Sequence, residues 1–139
     1  MKFRKLDGHY ILRLERGERI AEALLNFLRQ QDVSLGYFFG LGAVSQAELA
    51  HYNLDTRKYS SKVLDGPREI ISLSGNITEM DGMPYIHPHI SVSDSEMNCV
   101  GGHLKEATVA ATCEIVVKVL DGRIGRKFSE EIGLNLLDF

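Results

Sequence analysis

Only one stretch of the chain spaces its apolar residues at a helical period, and most of the remainder reads as strands separated by turns. His9 to Leu14, HYILRL, predicts a short first strand, and the charged turn ERGER leads into a helix from about Ile20 to Arg29. Within it Ile20, Ala23, Leu24, Phe27 and Leu28 recur at three- and four-residue spacing, while Glu22, Asn26, Arg29 and Gln30 take the other side. That division predicts one apolar face packed on a sheet.

Beyond the helix, SLGYFFGLGAVSQAELAHYNLD mixes aromatic, β-branched and apolar residues, and Gly36, Gly40 and Gly42 would weaken a helix. The segment predicts two strands meeting near Ser45. Asp55 to Lys58 is polar turn material, Tyr59 to Leu64 predicts a short strand, and Asp65-Gly66-Pro67 separates it from REIISLSGNIT. Asp81-Gly82-Met83-Pro84 then turns into YIHPHISVS, the pattern of a hairpin. After the polar DSEMN come Cys99 to Leu104 and the strand-like ATVAATCEIVVKVLDGRIGRKF, interrupted at Asp121-Gly122; IGLNLL predicts a closing strand. Several strands, one main helix and hairpin-type turns predict an α+β fold with a largely antiparallel sheet.

The chain has 139 residues, enough for one core and too few for two, which predicts a single domain over residues 1–139. With 44% hydrophobic and 25% charged residues, no stretch is polar enough to predict disorder. No apolar run approaches the ~20 residues of a membrane-spanning helix, and MKFRKLDGHY lacks the apolar core of a signal peptide. A cytoplasmic location without membrane contact is the expectation. Cys99 and Cys113 have no CxxC spacing, which predicts reduced, partly buried thiols rather than a disulfide framework or a zinc ribbon. A net charge of -3 counts against general attraction to a polyanion, so DNA binding would need a local basic patch. Arg123, Arg126 and Lys127 in LDGRIGRKF are the candidates for one, the alternative being an exposed charged hairpin.

The most concentrated chemistry lies in the histidines. Alternate strand residues share a face, so His87 and His89 project together with Cα atoms roughly 6.6 Å apart, close enough for two imidazoles to converge on one ion. Pro88 between them cannot donate a ladder hydrogen bond, which predicts an edge or distorted strand. His103 follows Gly101-Gly102, where tight turning and close backbone approach would leave the imidazole accessible. Three histidines plus water or substrate make an open site of the zinc type; zinc is the first choice, although imidazole also suits iron, nickel and copper. The alternative is that His87 and His89 lie on a solvated strand face while His103 caps a turn. His51 is a possible fourth ligand, and both it and His9 fit surface or core positions equally well.

REIISLSGNIT, then PYIHPHISVSD, then VGGHLKEATVAATCEIVV, in this order, resemble the prokaryotic PPC domain family. The upstream LRLERGERIAEALLNFLRQQDVSLGYFFGLGAVSQAELAHYNLDTRKY resembles that family's opening strand, helix and glycine-containing segment, so the resemblance covers nearly the whole chain. It implies a compact α+β domain that associates as a homotrimer. Free-standing prokaryotic members are commonly described as predicted DNA-binding proteins with a PD1-like motif. In plants the related domain is joined to an AT-hook, Arg-Gly-Arg-Pro, which carries the DNA contact, and no such segment occurs here. The resemblance also implies His87, His89 and His103 as metal ligands. Gly40, Gly42, Gly75, Gly101 and Gly102 match family positions, read as turns or bulges; Glu69 and Glu114 match acidic strand positions, better explained by an intersubunit ion pair than by catalysis.

The reading adopted is a PPC-like, DNA-binding or regulatory protein with a three-histidine metal site, chosen from three classes of function. One is a DNA-binding or regulatory module; the second is a small metal-dependent enzyme or ligand-binding protein; the third is an ion or polar network that fixes a trimer. No HExxH helix or Ser-His-Asp grouping can be assembled, and Glu69, Glu96 and Glu106 lie at unassigned distances from the histidines, so no reaction is named.

Overall fold

The segment with helical spacing forms the only helix, α1 (Ile20–Gln30), and nearly everything else is strand. A computed structural model describes residues 1–139. Its strands are β1 (Lys2–Leu6), β2 (His9–Glu15), β3 (Gly36–Asn53), β4 (Lys58–Met80), β5 (Met83–Ser93), β6 (Cys99–Val119), β7 (Gly125–Ser129) and β8 (Leu134–Asp138). The α+β expectation is therefore overturned: the fold is mostly antiparallel β with one short helix. Hairpin turns rather than helices join the long strands, so the sheet covers its own core with only α1 added.

Six strands form one antiparallel sheet in the order β1-β2-β6-β3-β4-β5, and β5 pairs again with β6. That second pairing closes β6, β3, β4 and β5 into a ring. β7 and β8 make a separate hairpin.

The punctuation that predicted strand ends bends strands instead. The two strands expected to meet at Ser45 are one 18-residue strand, with a register shift between Val44 and Gln46. Its partner β4 likewise runs through Asp65-Gly66-Pro67: Gln46 faces Asp65 and Val44 faces Arg68, leaving Gly66 and Pro67 in the same irregularity. A bulge tolerates Gly66 at φ +93° and needs no N–H from Pro67. True reversals occur where Asp-Gly can adopt positive φ at both positions. Asp81-Gly82 (φ +54° and +74°) joins β4 to β5, and Asp7-Gly8 (φ +36° and +72°) joins β2 to β1, a charged strand whose pattern gave no sequence signal.

Inward residues of the strands and one face of α1 form a continuous core of 26 buried residues. Ile20, Leu24, Phe27 and Leu28 are buried on the helix, as its spacing predicts. Phe27 packs edge-on against Tyr10 (ring centroids 5.0 Å) and Phe3 (5.1 Å), which ties α1 to β1 and β2. Arg19 gives the helix no side-chain cap. The Glu106 carboxylate on β6 accepts from Ala21 N (2.8 Å) and Glu22 N (3.2 Å), and Arg19 Nε lies 3.5 Å from it. Both cysteines are free; Cys113 is buried, its thiol pushed up to about 12 by burial, whereas Cys99 is exposed. No helix is long and apolar enough to cross a membrane.

Candidate metal centre

Strand alternation turns Ile86, Pro88 and Ile90 inward and puts His87 and His89 together on the outer face of β5. Pro88 lies opposite Gly75, one residue before β5 begins to pair with β6 at His89, so its missing N–H falls where β5 is still an edge. A Cβ at Gly75 would stand 2.5 Å from Phe38 Cζ and 2.6 Å from the His87 carbonyl oxygen, so its glycine serves close packing rather than a turn.

The third imidazole comes from across the ladder. His103 on β6 is the Cα partner of His89 on one side and of Ala50 on the other. Gly101 and Gly102 allow this approach: added Cβ atoms would lie 2.8 Å from the Ile90 carbonyl oxygen and 2.9 Å from that of Ala50. The glycines bring strands together and leave His103 half-buried, rather than accessible as expected.

The three rings have centroid separations of 5.2 Å (His87–His89), 5.3 Å (His87–His103) and 5.5 Å (His89–His103). One ring nitrogen from each lies within 4.8 Å of the others. Modest χ rotations bring such atoms to the about 3.4 Å set by tetrahedral geometry with Zn–N bonds of ~2.1 Å. His103 Nδ1 is buried without a hydrogen-bond partner, an omission that a bound cation would remove. Burial holds His103 well below the usual imidazole range, at about 4, with His87, His89 and Lys105 adding repulsion. Burial, His89 and Arg126 likewise lower His87. Imidazoles held neutral keep the lone pair that metal ligation needs. The donor set thus fits a transition-metal ion with an open position.

Residues distant in sequence border the cluster. Tyr59 on β4 lies 5.8 Å from His103 by ring centroids, and burial raises its hydroxyl above the usual tyrosine range, with Tyr85 and Tyr52 contributing. Tyr85 precedes His87 by two residues on the same strand, and the Arg126 guanidinium on β7 lies 4.7 Å over its ring. Arg126 Nε donates to Thr78 Oγ1 and Nη1 to the Asn135 carbonyl oxygen, each at 2.9 Å. Tyr85 was legible from the period of two through His87 and His89; Tyr59 and Arg126 gave no such signal.

The remaining candidates fall elsewhere. His51 is exposed on β3 outside the group, and His9 Nδ1 contacts the Asp7 carbonyl oxygen at 2.9 Å. Glu106 serves the helix terminus and Glu96 sits in the Asp94–Asn98 turn, where Asn98 Nδ2 reaches it at 3.4 Å. Glu69 and Glu114 are exposed on β4 and β6. None joins the histidines. The basic run divides as well: Arg123 pairs with Glu79 at 3.0 Å and Arg126 is held over Tyr85, leaving Lys127 on the exposed side.

Fold and site together define a β-rich protein with three convergent histidines on the outer face of a closed antiparallel sheet. The chain belongs to the Plants and Prokaryotes Conserved (PCC) domain family, whose pattern matches residues 1–121. Its structure is similar to that of a protein from Bacteroides thetaiotaomicron described as a candidate DNA-binding protein. The two are 32% identical, with 99% of this chain and 96% of that chain covered and a TM-score of 0.97. It is also similar to a metal-containing protein from Archaeoglobus fulgidus, at 33% identity, full coverage of both chains (100% and 100%) and a TM-score of 0.89. A segment of the bifunctional protein GlmU from a Synechococcus strain is 34% identical over 110 residues, 78% of this chain. The chain spans only 16% of the length of that curated relative.

Proposed function

We propose that His87, His89 and His103 hold one transition-metal ion, zinc first among the candidates, and that the open coordination position takes a small-molecule ligand. The convergence of three imidazoles, one of which keeps a buried and unpartnered Nδ1 in His103, supports this reading. A zinc ion so held would polarise a bound oxygen or lower the pKa of bound water toward ~7. No carboxylate belongs to the cluster, so the proposal extends to metal-dependent binding and names no reaction. The metal-containing Archaeoglobus relative agrees with it.

Residues 1–139 are proposed to act as one unit that assembles as a homotrimer. Tyr37, Phe39 and Leu41 are exposed at alternate positions of β3, a face that a second copy would cover. In cross-strand register Phe39 faces Ser74, which faces His89, so this apolar face runs into the histidines.

The test is metal content per chain by elemental analysis, with oligomeric mass, for wild type and a His87/His89/His103 triple-alanine variant. About one ion per chain, lost in the variant, supports the site. Metal in neither protein, or equal metal in both, rejects it. Loss of the trimer together with the metal would make the ion structural.

A second reading, DNA binding or regulation, draws on relatives described as candidate DNA-binding proteins. Here it would rest on a basic run in which Arg123 is already paired and on a net charge of -3. It requires retention on DNA at low salt that falls steeply as salt rises and weakens on charge reversal at Arg126. No retention at low salt rejects it.

A further inference from the structure

Arg126 is set apart from the other basic residues of its hairpin. Its guanidinium stacks on Tyr85, and two of its five N–H donors are used, by Thr78 Oγ1 and the Asn135 carbonyl oxygen. Thr78 is itself buried, so the arginine is anchored to the body of the fold and no carboxylate pairs with it. Tyr85 and His87 share a strand face, so the guanidinium stacked on Tyr85 stands on the side of the sheet that carries His87. A fixed, half-buried cation with unused donors therefore stands on the face of β5 that carries His87 and His89. A metal ion would add to that positive field, and an anion would relieve it.

We infer that the histidine site takes a small organic carboxylate, with Arg126 as the residue that binds the carboxylate group. This rests on the metal reading above and specifies its ligand. A guanidinium matches a carboxylate through parallel N–H donors, and anchoring by Thr78 and Asn135 removes most of the ordering cost of that contact. Aromatic rings, Tyr59 against His103 and Tyr85 under Arg126, supply surface for an organic body. Inorganic phosphate, with more charge and no apolar part, would find one guanidinium and aromatic walls. Arg126 lies outside the residues that the family pattern matches, so this recognition belongs to the C-terminal hairpin.

Calorimetric titration of the zinc-loaded protein with benzoate, its neutral counterpart benzamide and inorganic phosphate tests the inference, with zinc measured in the same samples. Three proteins are compared: wild type, Arg126→Gln, which can still donate to Thr78, and Lys127→Gln, an equal change of charge on the exposed side. Benzoate is expected to bind wild type and Lys127→Gln alike, and Arg126→Gln at least about tenfold more weakly with zinc unchanged. Should Arg126→Gln fail to fold, Arg126→Lys replaces it, with weaker but measurable benzoate binding expected. Equal benzoate affinity in all folded variants, or preference for phosphate or benzamide over benzoate, overturns the arginine's role while the metal site stands. Absence of zinc from wild type overturns the metal reading and this inference together.

Discussion

His89 and His103 are separated by 13 intervening residues yet face each other as Cα partners across β5 and β6, with ring centroids 5.5 Å apart. The pairing places one imidazole on the solvent side and the other half-buried between β3 and β5. Their roles therefore differ: His89 can be removed without opening the core, whereas His103 fills space beside Tyr59. His89→Ala is expected to leave the thermal midpoint of the metal-free protein nearly unchanged, within about 0.5 kcal/mol of stability. It should weaken zinc retention against a competing chelator at least about tenfold. Full zinc occupancy in that variant would remove His89 from the ligand set.

Acid should act on the metal-free protein through His103. Its folded value of about 4 lies below the ordinary imidazole value of 6.5, so between these values the unfolded chain binds the proton and the folded chain does not. Stability contributed by neutral His103 is thus complete above about 6.5 and declines as pH falls toward 4. His103→Gln should flatten that part of the profile. Thermal midpoints of both proteins at pH 7 and pH 4.5 read the difference; parallel losses would show that His103 does not titrate as its burial requires.

Gly75 is a point at which packing and site geometry meet. A side chain there would overlap Phe38 and the His87 backbone, so Gly75→Val should cost ~1–3 kcal/mol and displace His87 from its partners. Denaturant unfolding and zinc titration of one preparation should show both effects. A stable variant with unchanged zinc affinity would mean that β5 shifts without moving the imidazole.

Glu106 separates stability from function. Glu106→Ala removes the acceptor for Ala21 N and Glu22 N and is expected to destabilise the fold by about 1–2 kcal/mol. Zinc content should not change, because the carboxylate lies outside the histidine group. Loss of zinc from the folded variant would contradict that separation.

Phe39 reports on assembly. It is 54% exposed on the face that continues to His89, and Phe39→Arg is expected to convert a trimer to monomers in light-scattering mass measurements. An unchanged trimer would place the interface elsewhere.

Local rules made α1 and the Asp81-Gly82 hairpin legible, because a 3.6-residue period and an Asp-Gly turn are properties of neighbouring residues. The same holds for the shared face of His87 and His89, which needs only the pleat of a strand. Gly66-Pro67 and the glycines around Ser45 were ambiguous, since a residue that breaks a ladder can either end a strand or bulge it. Long-range pairing between β3 and β4 chose the bulge and, with it, a mostly β fold in place of α+β.

What the sequence by itself determined was the helix, several of the strands, the antiparallel character of the sheet and two imidazoles on one face, with His103 after Gly101-Gly102 as the candidate third ligand that the family resemblance supported. Only the tertiary structure decided that β5 returns to β6, because register between strands is set by many weak contacts summed over the closed sheet. That closure brought His103 opposite His89, and the β7–β8 hairpin, packed separately, anchored Arg126 over Tyr85 instead of leaving it exposed in a basic patch.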